Sequence, residues 1–238
     1  VFESTTAPYS RASVVIQPDG SFVLSTDRPD NGAMQGEHRV SISPLSADGS
    51  SYAIRHRGLY VADVRWALTG LHNVRNGLAA IAAAEHVGVS VATAVAALSA
   101  FPGVKRRMEL LGTVRDIAVY DDFAHHPTAI RTTLEGLRGR VGSQRIWAVI
   151  EPRSNTMRMG SHKDGLAESA QAADQVIWYQ PAGLDWDLTP VVAASPVPAQ
   201  VASDIPAVIA RLVAEAAPGD AIVIMSNGGF GGIHQKLL

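Results

Sequence analysis

The sequence predicts an α/β protein, in which a β-rich segment and a pair of helices precede a mostly parallel sheet with helices on both faces. Before Gly70, short runs of β-favouring residues alternate with turn residues. From about Val104 onward, apolar strands alternate with amphipathic helices, a pattern typical of parallel sheets covered on both faces. The Phe-Pro-Gly segment 101–103 ends the helix pair, so we predict two domains, residues 1–103 and 104–238.

The β-rich segment begins with a hairpin signal. Asp19-Gly20 favours a tight turn between antiparallel strands, and alternating apolar residues flank it on both sides. The predicted strands of this segment are Ser13–Ile16, Ser21–Ser25, Arg39–Ile42, Ser51–Arg55 and Leu59–Ala67, with a loop over Asp27–Glu37.

Two helices are predicted next. Apolar residues recur at helical spacing after Asn73, which is predicted to cap the first helix, and Gly88 ends that helix. Ser90 is predicted to cap the second helix. This region, residues 78–101, is the most apolar of the chain, but Glu85 interrupts it. We therefore predict buried helices rather than a membrane span.

The second domain is predicted to contain four strands and four helices. Pro127 opens the first helix, because proline is favoured at the first helical position, and Gly139 is predicted to end it. The predicted strands are Ile117–Tyr120, Arg145–Ile150, Gln175–Tyr179 and Ala221–Met225. The other predicted helices are Gly160–Ala173, Ser203–Ala216 and one that starts at Gly231.

The composition argues against several classes of function. A formal charge of -2 does not suggest a nucleic-acid or anionic-membrane surface. The chain has no cysteine, and hence neither a disulfide framework nor a thiolate metal site. No segment has the form of a signal peptide, and 47% of the residues are hydrophobic. We therefore expect a soluble, cytoplasmic protein with a packed core.

Three polar clusters follow three of the predicted strands. They are the segments 121–126, 151–156 and 226–232. Because ligands of open parallel sheets bind at the carboxyl ends of the strands, we predict that the clusters form one site. The first can hold metal ligands or only cap a helix, and Arg153 in the second can grip a carboxylate or phosphate or be a solvated charge. The glycines of the third can form a turn or admit a ligand to backbone amides.

Two further clusters carry open alternatives. His72 and Asn76 lie one turn apart at the start of the first helix, where amide side chains can read the edge of a base or only cap the helix. The basic segment 105–107 lies at the domain boundary. It can be a solvated linker or supply cations to phosphate groups.

Together these segments resemble the Mur ligase family, the ATP-dependent amide ligases of peptidoglycan assembly. The family pattern G-x-H-N-x-x-N occurs at residues 70–76 and the pattern D-[YF]-A-H-x-P at residues 122–127. The arginine–glutamate step of the family occurs at residues 107–109, and the resemblance covers roughly residues 62–238. It implies a Rossmann-like, peptide-binding C-terminal domain, and makes residues 1–103 the distal part of a central, ATP-binding domain.

The resemblance also implies roles for individual residues. It places Arg107 by the phosphates and His125 near the reaction centre, and it implies no metal ligand in this chain. The nucleotide-binding residues that it implies are His72, Asn73, Asn76 and Asp122, and the substrate-binding residues are Arg153, Ser154, Asn155, Ser226 and Asn227.

Within the family, residues 151–157 and 226–234 resemble one branch. That branch joins the tripeptide L-alanyl-γ-D-glutamyl-meso-diaminopimelate to UDP-N-acetylmuramate in peptidoglycan recycling, through an acyl phosphate made from ATP. Mg²⁺ is implied, with ligands mostly outside this chain. The alternative is the sister branch that adds L-alanine to UDP-N-acetylmuramate, which shares the aspartate–histidine segment at 121–127.

The sequence departs from the family in one respect. The phosphate loop that ends in Gly-Lys-Thr or Gly-Lys-Ser is absent from these 238 residues, and so is a UDP-binding domain. We interpret the chain, which begins at Val1, as a fragment that is inactive without the N-terminal region of the same polypeptide. Two other classes stay open, a non-catalytic peptide-binding module and a metal-dependent hydrolase with Asp121, Asp122, His125 and His126 as ligands.

Overall fold

The chain divides into two compact units, Val1–Gly103 and Val104–Leu238. The identity of the first unit as the distal part of an ATP-binding domain stays a prediction. None of the described helices is long and apolar enough to cross a membrane. The structure, a computed structural model, describes residues 2–3, 11–16, 22–26, 40–153, 165–181 and 183–238.

The first unit contains an antiparallel sheet of six strands that pair in chain order. The predicted turn at Asp19-Gly20 and loop at Asp27–Glu37 lie outside the described residues, whereas the strands that flank the turn pair antiparallel as predicted. The strands are β1 (Phe2–Glu3), β2 (Arg11–Ile16), β3 (Phe22–Thr26), β4 (Val40–Pro44), β5 (Ser51–His56) and β6 (Leu59–Arg65).

Two helices pack on this sheet, α1 (Leu71–His86) and α2 (Val91–Ser99). The prediction that Asn73 caps α1 is wrong, because the N-cap is Gly70, whose φ of 89° lets the chain turn into the helix. Asn73 lies inside the first turn, and its Nδ2 donates to the Thr69 carbonyl oxygen at 2.7 Å. Ser90 caps α2 as predicted, since its Oγ accepts from the amide of Thr93.

The second unit contains a mostly parallel sheet, which confirms the predicted fold class. Its strand order is β11-β10-β9-β12-β8-β7, and only β7 and β8 pair antiparallel in this sheet as described. The strands are β7 (Glu109–Val114), β8 (Ile117–Asp122), β9 (Ile146–Ile150), β10 (Gln175–Tyr179), β11 (Ala199–Ala202) and β12 (Ala221–Met225).

Helices cover both faces of this sheet. Every residue of β9 and β12 is buried, as expected for central strands with apolar side chains on both sides. One core packs against α3 and α4, and the other packs against α6 and α7. The helices are α3 (Pro127–Val141), α4 (Leu166–Ser169), α5 (Thr189–Ala193), α6 (Ile205–Glu215) and α7 (Ile233–Leu237).

Several boundaries differ from the predictions. Helix α3 continues past Gly139 to Val141 and ends at Gly142, whose positive φ of 62° is readily adopted by glycine. The helix predicted over Gly160–Ala173 is helical only at Leu166–Ser169 among its described residues, and its first part lies outside them. The sequence did not predict β7, β11 or α5. The two strands are partly exposed edge strands with weak apolar patterns.

Candidate functional site

The carboxyl ends of β8, β9 and β12 meet at one edge of the second sheet. Met225, the last residue of β12, pairs with Asp122 on one side and with Ile150 on the other. The pairing continues one step further, since the amide of Glu151 donates to the Met225 carbonyl and the amide of Ser226 donates to the Asp122 carbonyl. The described parts of the three polar clusters that the sequence indicates therefore lie side by side, as predicted.

Asp122 is buried, and its carboxylate holds the surrounding backbone. Its Oδ2 accepts from the amide of Met108, and its Oδ1 accepts from the amide of Ala124, both at 2.8 Å, and from Thr133 Oγ1 at 3.2 Å. Burial raises the pKa of Asp122, although these hydrogen bonds and the charge of Arg107 act to lower it. The ribose contact stays a prediction, since here both oxygens bind donors of the chain itself.

Asp121 links the start of the second unit to its last helix. Its Oδ2 accepts from Arg106 Nε at 3.1 Å, and its Oδ1 lies 3.1 Å from His234 Nε2. The same guanidinium donates through Nη2 to the carbonyl oxygens of Ser226, at 2.5 Å, and of Gly228, at 2.9 Å. Arg106 therefore connects a buried carboxylate with the backbone of the glycine-rich loop, a role that the sequence analysis missed.

Arg106 and its neighbour Arg107 lie in different environments. The turn that carries them is unusual, since Arg106 and Met108 have φ values of 60° and 51°, and the amide of Arg106 donates to Glu109 Oε2 at 2.8 Å. Both guanidinium groups lie over the ring of Phe123, at 5.3 and 5.4 Å from its centroid. Arg106 points to the loop whereas Arg107 is exposed, so its charge is open to an anionic ligand.

The histidines of the first cluster have contacts of their own. His125 is partly buried, with Nδ1 2.9 Å from the Phe123 carbonyl oxygen. His126 is exposed and caps α3, accepting weakly from the amide of Ala129 at 3.4 Å. The carboxylates of Asp121 and Asp122 contact backbone amides and the side chains of Arg106, Thr133 and His234. In residues 40–153, 165–181 and 183–238, no group of three or more potential ligands is arranged to hold a metal ion.

Glu151, Arg153 and Ser226 form the centre of the edge. Glu151 is buried, and its Oε2 accepts from Ser226 Oγ at 2.5 Å, while that hydroxyl accepts from the amide of Gly228 at 2.9 Å. Arg153 Nη1 lies 3.9 Å from Glu151 Oε1, and 51% of the Arg153 side chain is exposed. Burial and, to a smaller extent, the charge of Glu151 raise the pKa of nearby Tyr179.

The predicted substrate-binding residues thus differ in accessibility. Ser226 is fully buried, and its hydroxyl accepts from the amide of Gly228 in the loop. Asn227 is partly exposed, and Arg153 reaches solvent. Ser154 and Asn155 lie outside the described residues. Of this set, Arg153 and Asn227 are the described side chains that a ligand can reach without displacing a hydrogen bond of Ser226.

The predicted nucleotide-binding residues of the first unit lie together at the start of α1. His72 and Asn73 are partly buried, and Asn76 is exposed one turn later. Beside the same helix is a cavity of about 320 Å³, lined by the β4–β5 loop and by Tyr52, among other residues of β5 and α1. The three residues are not among those that line it.

The fold and the site define a class of protein. It is an α/β binding domain whose ligand site lies at the carboxyl edge of a mostly parallel sheet and presents exposed arginine side chains. The comparison with known families is specific: the family described as "Mur ligase, glutamate ligase domain" matches residues 106–228. The chain belongs to the Mur ligase family, whose members are ATP-dependent ligases.

Individual relatives point to one branch. The chain is 52% identical, over 82% of its length, to the UDP-N-acetylmuramate–L-alanyl-γ-D-glutamyl-meso-2,6-diaminoheptandioate ligase of Escherichia coli (strain K12), and covers 43% of it. It is 30% identical, over 99% of its length, to the UDP-N-acetylmuramate–L-alanine ligase of a Nocardioides species, and covers 54% of that protein.

A solved structure agrees with this. The crystal structure of a murein peptide ligase from Psychrobacter arcticus 273-4 is 54% identical, with a TM-score of 0.63, over 83% of this chain and 43% of that one. The chain thus spans less than half the length of the relatives to which it is most similar among these.

Proposed function

We propose that this protein takes part in the ATP-dependent joining of L-alanyl-γ-D-glutamyl-meso-diaminopimelate to UDP-N-acetylmuramate, and that residues 104–238 bind the tripeptide. The identity of 52% to the Escherichia coli enzyme named for these substrates supports the proposal most. The L-alanine ligase of the Nocardioides species, at 30%, is the weaker alternative. The substrates, ATP and a UDP-linked sugar, are cytoplasmic compounds, so we propose the same compartment for the protein.

The site supports the tripeptide as the ligand of this domain. The tripeptide carries several carboxylates, and Arg153 presents a half-exposed guanidinium at the edge where ligands of such sheets bind. Arginine suits a carboxylate because two parallel N–H donors can bind both oxygens. L-Alanine is much smaller and has one carboxylate, so it uses less of this surface.

The chemistry follows from the family. ATP phosphorylates the lactyl carboxylate of UDP-N-acetylmuramate, the tripeptide amine attacks the acyl phosphate, and phosphate leaves. In such reactions proteins act mainly by positioning and by placing cations beside the phosphates. We assign the second role to the exposed Arg107, and we place His125 near the reaction centre and the amides of Asn73 and Asn76, with His72, near the base.

Mg²⁺ would neutralise phosphate charge in this reaction. The described residues offer no cluster that fits a metal ion, so we assign none of them to it and derive no step through it. The four residues of a metal hydrolase site, Asp121, Asp122, His125 and His126, have other contacts, and the family match favours a ligase.

Calorimetric titration of the 238-residue chain tests the proposal. The tripeptide should bind, and L-alanine at the same concentrations should not. If L-alanine binds and the tripeptide does not, the protein belongs instead to the sister branch that adds L-alanine. If neither compound binds, the proposal that this chain contains the tripeptide site is wrong.

A further inference from the structure

Gly228 and Arg153 are packed against each other more closely than any other residue at position 228 would permit. A Cβ atom built on Gly228 would lie 2.6 Å from Arg153 Nη1, 3.0 Å from its Cδ and 3.1 Å from its Cζ. Cβ atoms in proteins essentially never approach another heavy atom to 2.6 Å. The guanidinium of Arg153 therefore occupies the space that a side chain at position 228 would fill.

The loop that contains Gly228 is held from two sides. Arg106 donates to the carbonyl oxygens of Ser226 and Gly228, and Asp121 fixes Arg106 in turn. On the other side, the Gly228 amide donates to Ser226 Oγ, which donates to the buried Glu151. A side chain at position 228 cannot push the loop back without breaking these hydrogen bonds. The displaced group would instead be the flexible end of Arg153.

Glu151 is a second neighbour of the Arg153 guanidinium. Its carboxylate lies 3.9 Å from Arg153 Nη1, a distance too long for a hydrogen bond but short enough for electrostatic attraction. Arg153 Nη1 thus lies near both a buried carboxylate and the Gly228 backbone, while half of the Arg153 side chain stays exposed. The pair orients the guanidinium and leaves its outer face open to a ligand.

We propose that Gly228 is a positioning residue for the substrate: by lacking a side chain, it lets Arg153 lie where it can bind a carboxylate of the tripeptide. This inference rests on the proposed function. Close approach, rather than backbone conformation, is the reason for the glycine, because the φ of Gly228 is not positive. In the same loop Gly231 and Gly232 have φ values of 54° and 70°, which are costly for other residues.

The neighbouring Gly229 supplies a matched control. Its φ of -80° and ψ of -6° suit alanine, and a Cβ atom there would meet nothing within 4 Å. Gly228→Ala and Gly229→Ala thus make the same chemical change in adjacent positions, but only the first displaces Arg153. Both variants of the 238-residue chain would be titrated with the tripeptide, and their thermal unfolding midpoints would be compared with that of the wild type.

Gly228→Ala should raise the dissociation constant of the tripeptide at least about tenfold, since misplacing a binding group by about 1 Å is costly. Gly229→Ala should leave it unchanged. A tripeptide with both diaminopimelate carboxylates amidated should bind Gly228→Ala and wild type equally weakly. The double variant Arg153→Ala/Gly228→Ala should bind no more weakly than Arg153→Ala alone, which a merely structural role of Gly228 does not predict.

Arg106→Lys tests the same arrangement without changing Gly228. Lysine keeps the charge beside Asp121, but its single ammonium cannot also reach two carbonyl oxygens in fixed geometry, so tripeptide affinity should fall. Wild-type affinity in both Gly228→Ala and Arg106→Lys would overturn the positioning role while leaving the proposed function intact. If the wild-type chain itself does not bind the tripeptide, the proposed function fails, and the inference fails with it.

Discussion

An arginine–aspartate pair lies at each end of the parallel strands of the C-terminal sheet, the amino edge and the carboxyl edge. The two pairs differ in what else they bind. At the amino edge, Arg145 contacts both oxygens of Asp220 at 2.6 to 3.1 Å and stacks over Trp147, whose Nε1 also donates to Asp220. At the carboxyl edge, Arg106 contacts Asp121 once and gives two further hydrogen bonds to a loop backbone.

This difference suggests different roles for the two pairs: the Asp220 pair contributes to stability, and the Asp121 pair to the proposed binding site. The Asp220 contacts join residues at the beginning of β9 and in the turn before β12, at an end of the sheet that holds no predicted ligand residue. The Arg106 contacts hold a loop in which Gly228 adjoins the exposed Arg153. The same ion-pair chemistry thus joins two strands at one end of the sheet and holds the loop of the proposed binding surface at the other.

The largest expected effect is the absence of the ligase reaction in a chain that still binds the tripeptide at the carboxyl edge. The 238-residue chain has no Gly-Lys-Thr or Gly-Lys-Ser phosphate loop, so it should release no phosphate from ATP in the presence of UDP-N-acetylmuramate and tripeptide. A colorimetric phosphate assay measures this, with titration of the tripeptide as a control for a folded site. Turnover at a rate usual for ligases would contradict the prediction.

Arg153→Ala should cost the carboxyl edge most of its affinity for the tripeptide. Removing one partner of a desolvated charge pair costs about 2–5 kcal/mol, so the dissociation constant should rise roughly thirtyfold or more. Arg153→Lys should recover only part of the loss, because an ammonium cannot make a two-pronged contact. Calorimetry checks both variants. An affinity for Arg153→Ala close to that of wild type would show that Arg153 is a solvated strand-end charge.

Asp220→Ala and Asp121→Ala compare the edges directly. Asp220→Ala should lower the free energy of unfolding by about 2–4 kcal/mol, because Trp147 Nε1 and the Arg145 guanidinium lose their buried acceptor. It should leave tripeptide affinity unchanged. Asp121→Ala should destabilise less but weaken tripeptide binding, since it releases Arg106. Denaturant unfolding and calorimetry on both variants test this. Equal effects of the two substitutions on tripeptide affinity would contradict the different roles of the two edges.

The smallest effect is a difference in pH dependence between two aspartates. Burial raises the pKa of Asp220, but hydrogen bonds from Arg145, Ala217 and Trp147 and the charge of Arg145 outweigh it, so the pKa is lowered overall. Its contribution to stability is present above the unfolded-state pKa of about 4 and is lost as pH falls through the folded-state pKa.

Asp122 should behave in the opposite sense. Its pKa is raised by burial, so its contribution to stability is full below the unfolded-state pKa and is lost as pH rises through the folded-state pKa. As the pH rises from about 3 to about 6, the free energy of unfolding of the wild type should increase relative to that of Asp220→Asn and decrease relative to that of Asp122→Asn. Denaturation series at several pH values measure both, and parallel curves for the two variants would refute the difference.

Prediction from sequence succeeded where the local pattern was strong. The strands Gln175–Tyr179 and Ala221–Met225 have the predicted bounds, because a continuous apolar run between turns is buried on both faces. It failed where tertiary contacts decide. The edge strands β7 and β11 gain their hydrogen bonds from neighbouring strands, and Gly70 rather than Asn73 begins α1 since the incoming chain needs a positive φ there.

The site divides in the same way. The sequence by itself determined the α/β class, the family motifs and the meeting of three polar clusters at one edge, because alternating strands and helices build a parallel sheet whose carboxyl ends converge. Only the tertiary structure decided which residues bind one another there. Arg106 meets Asp121 after 15 residues and Gly228 after 122, and Gly228 meets Arg153 across neighbouring strands. Such contacts depend on strand order and register, which the periodicity of a single segment does not encode.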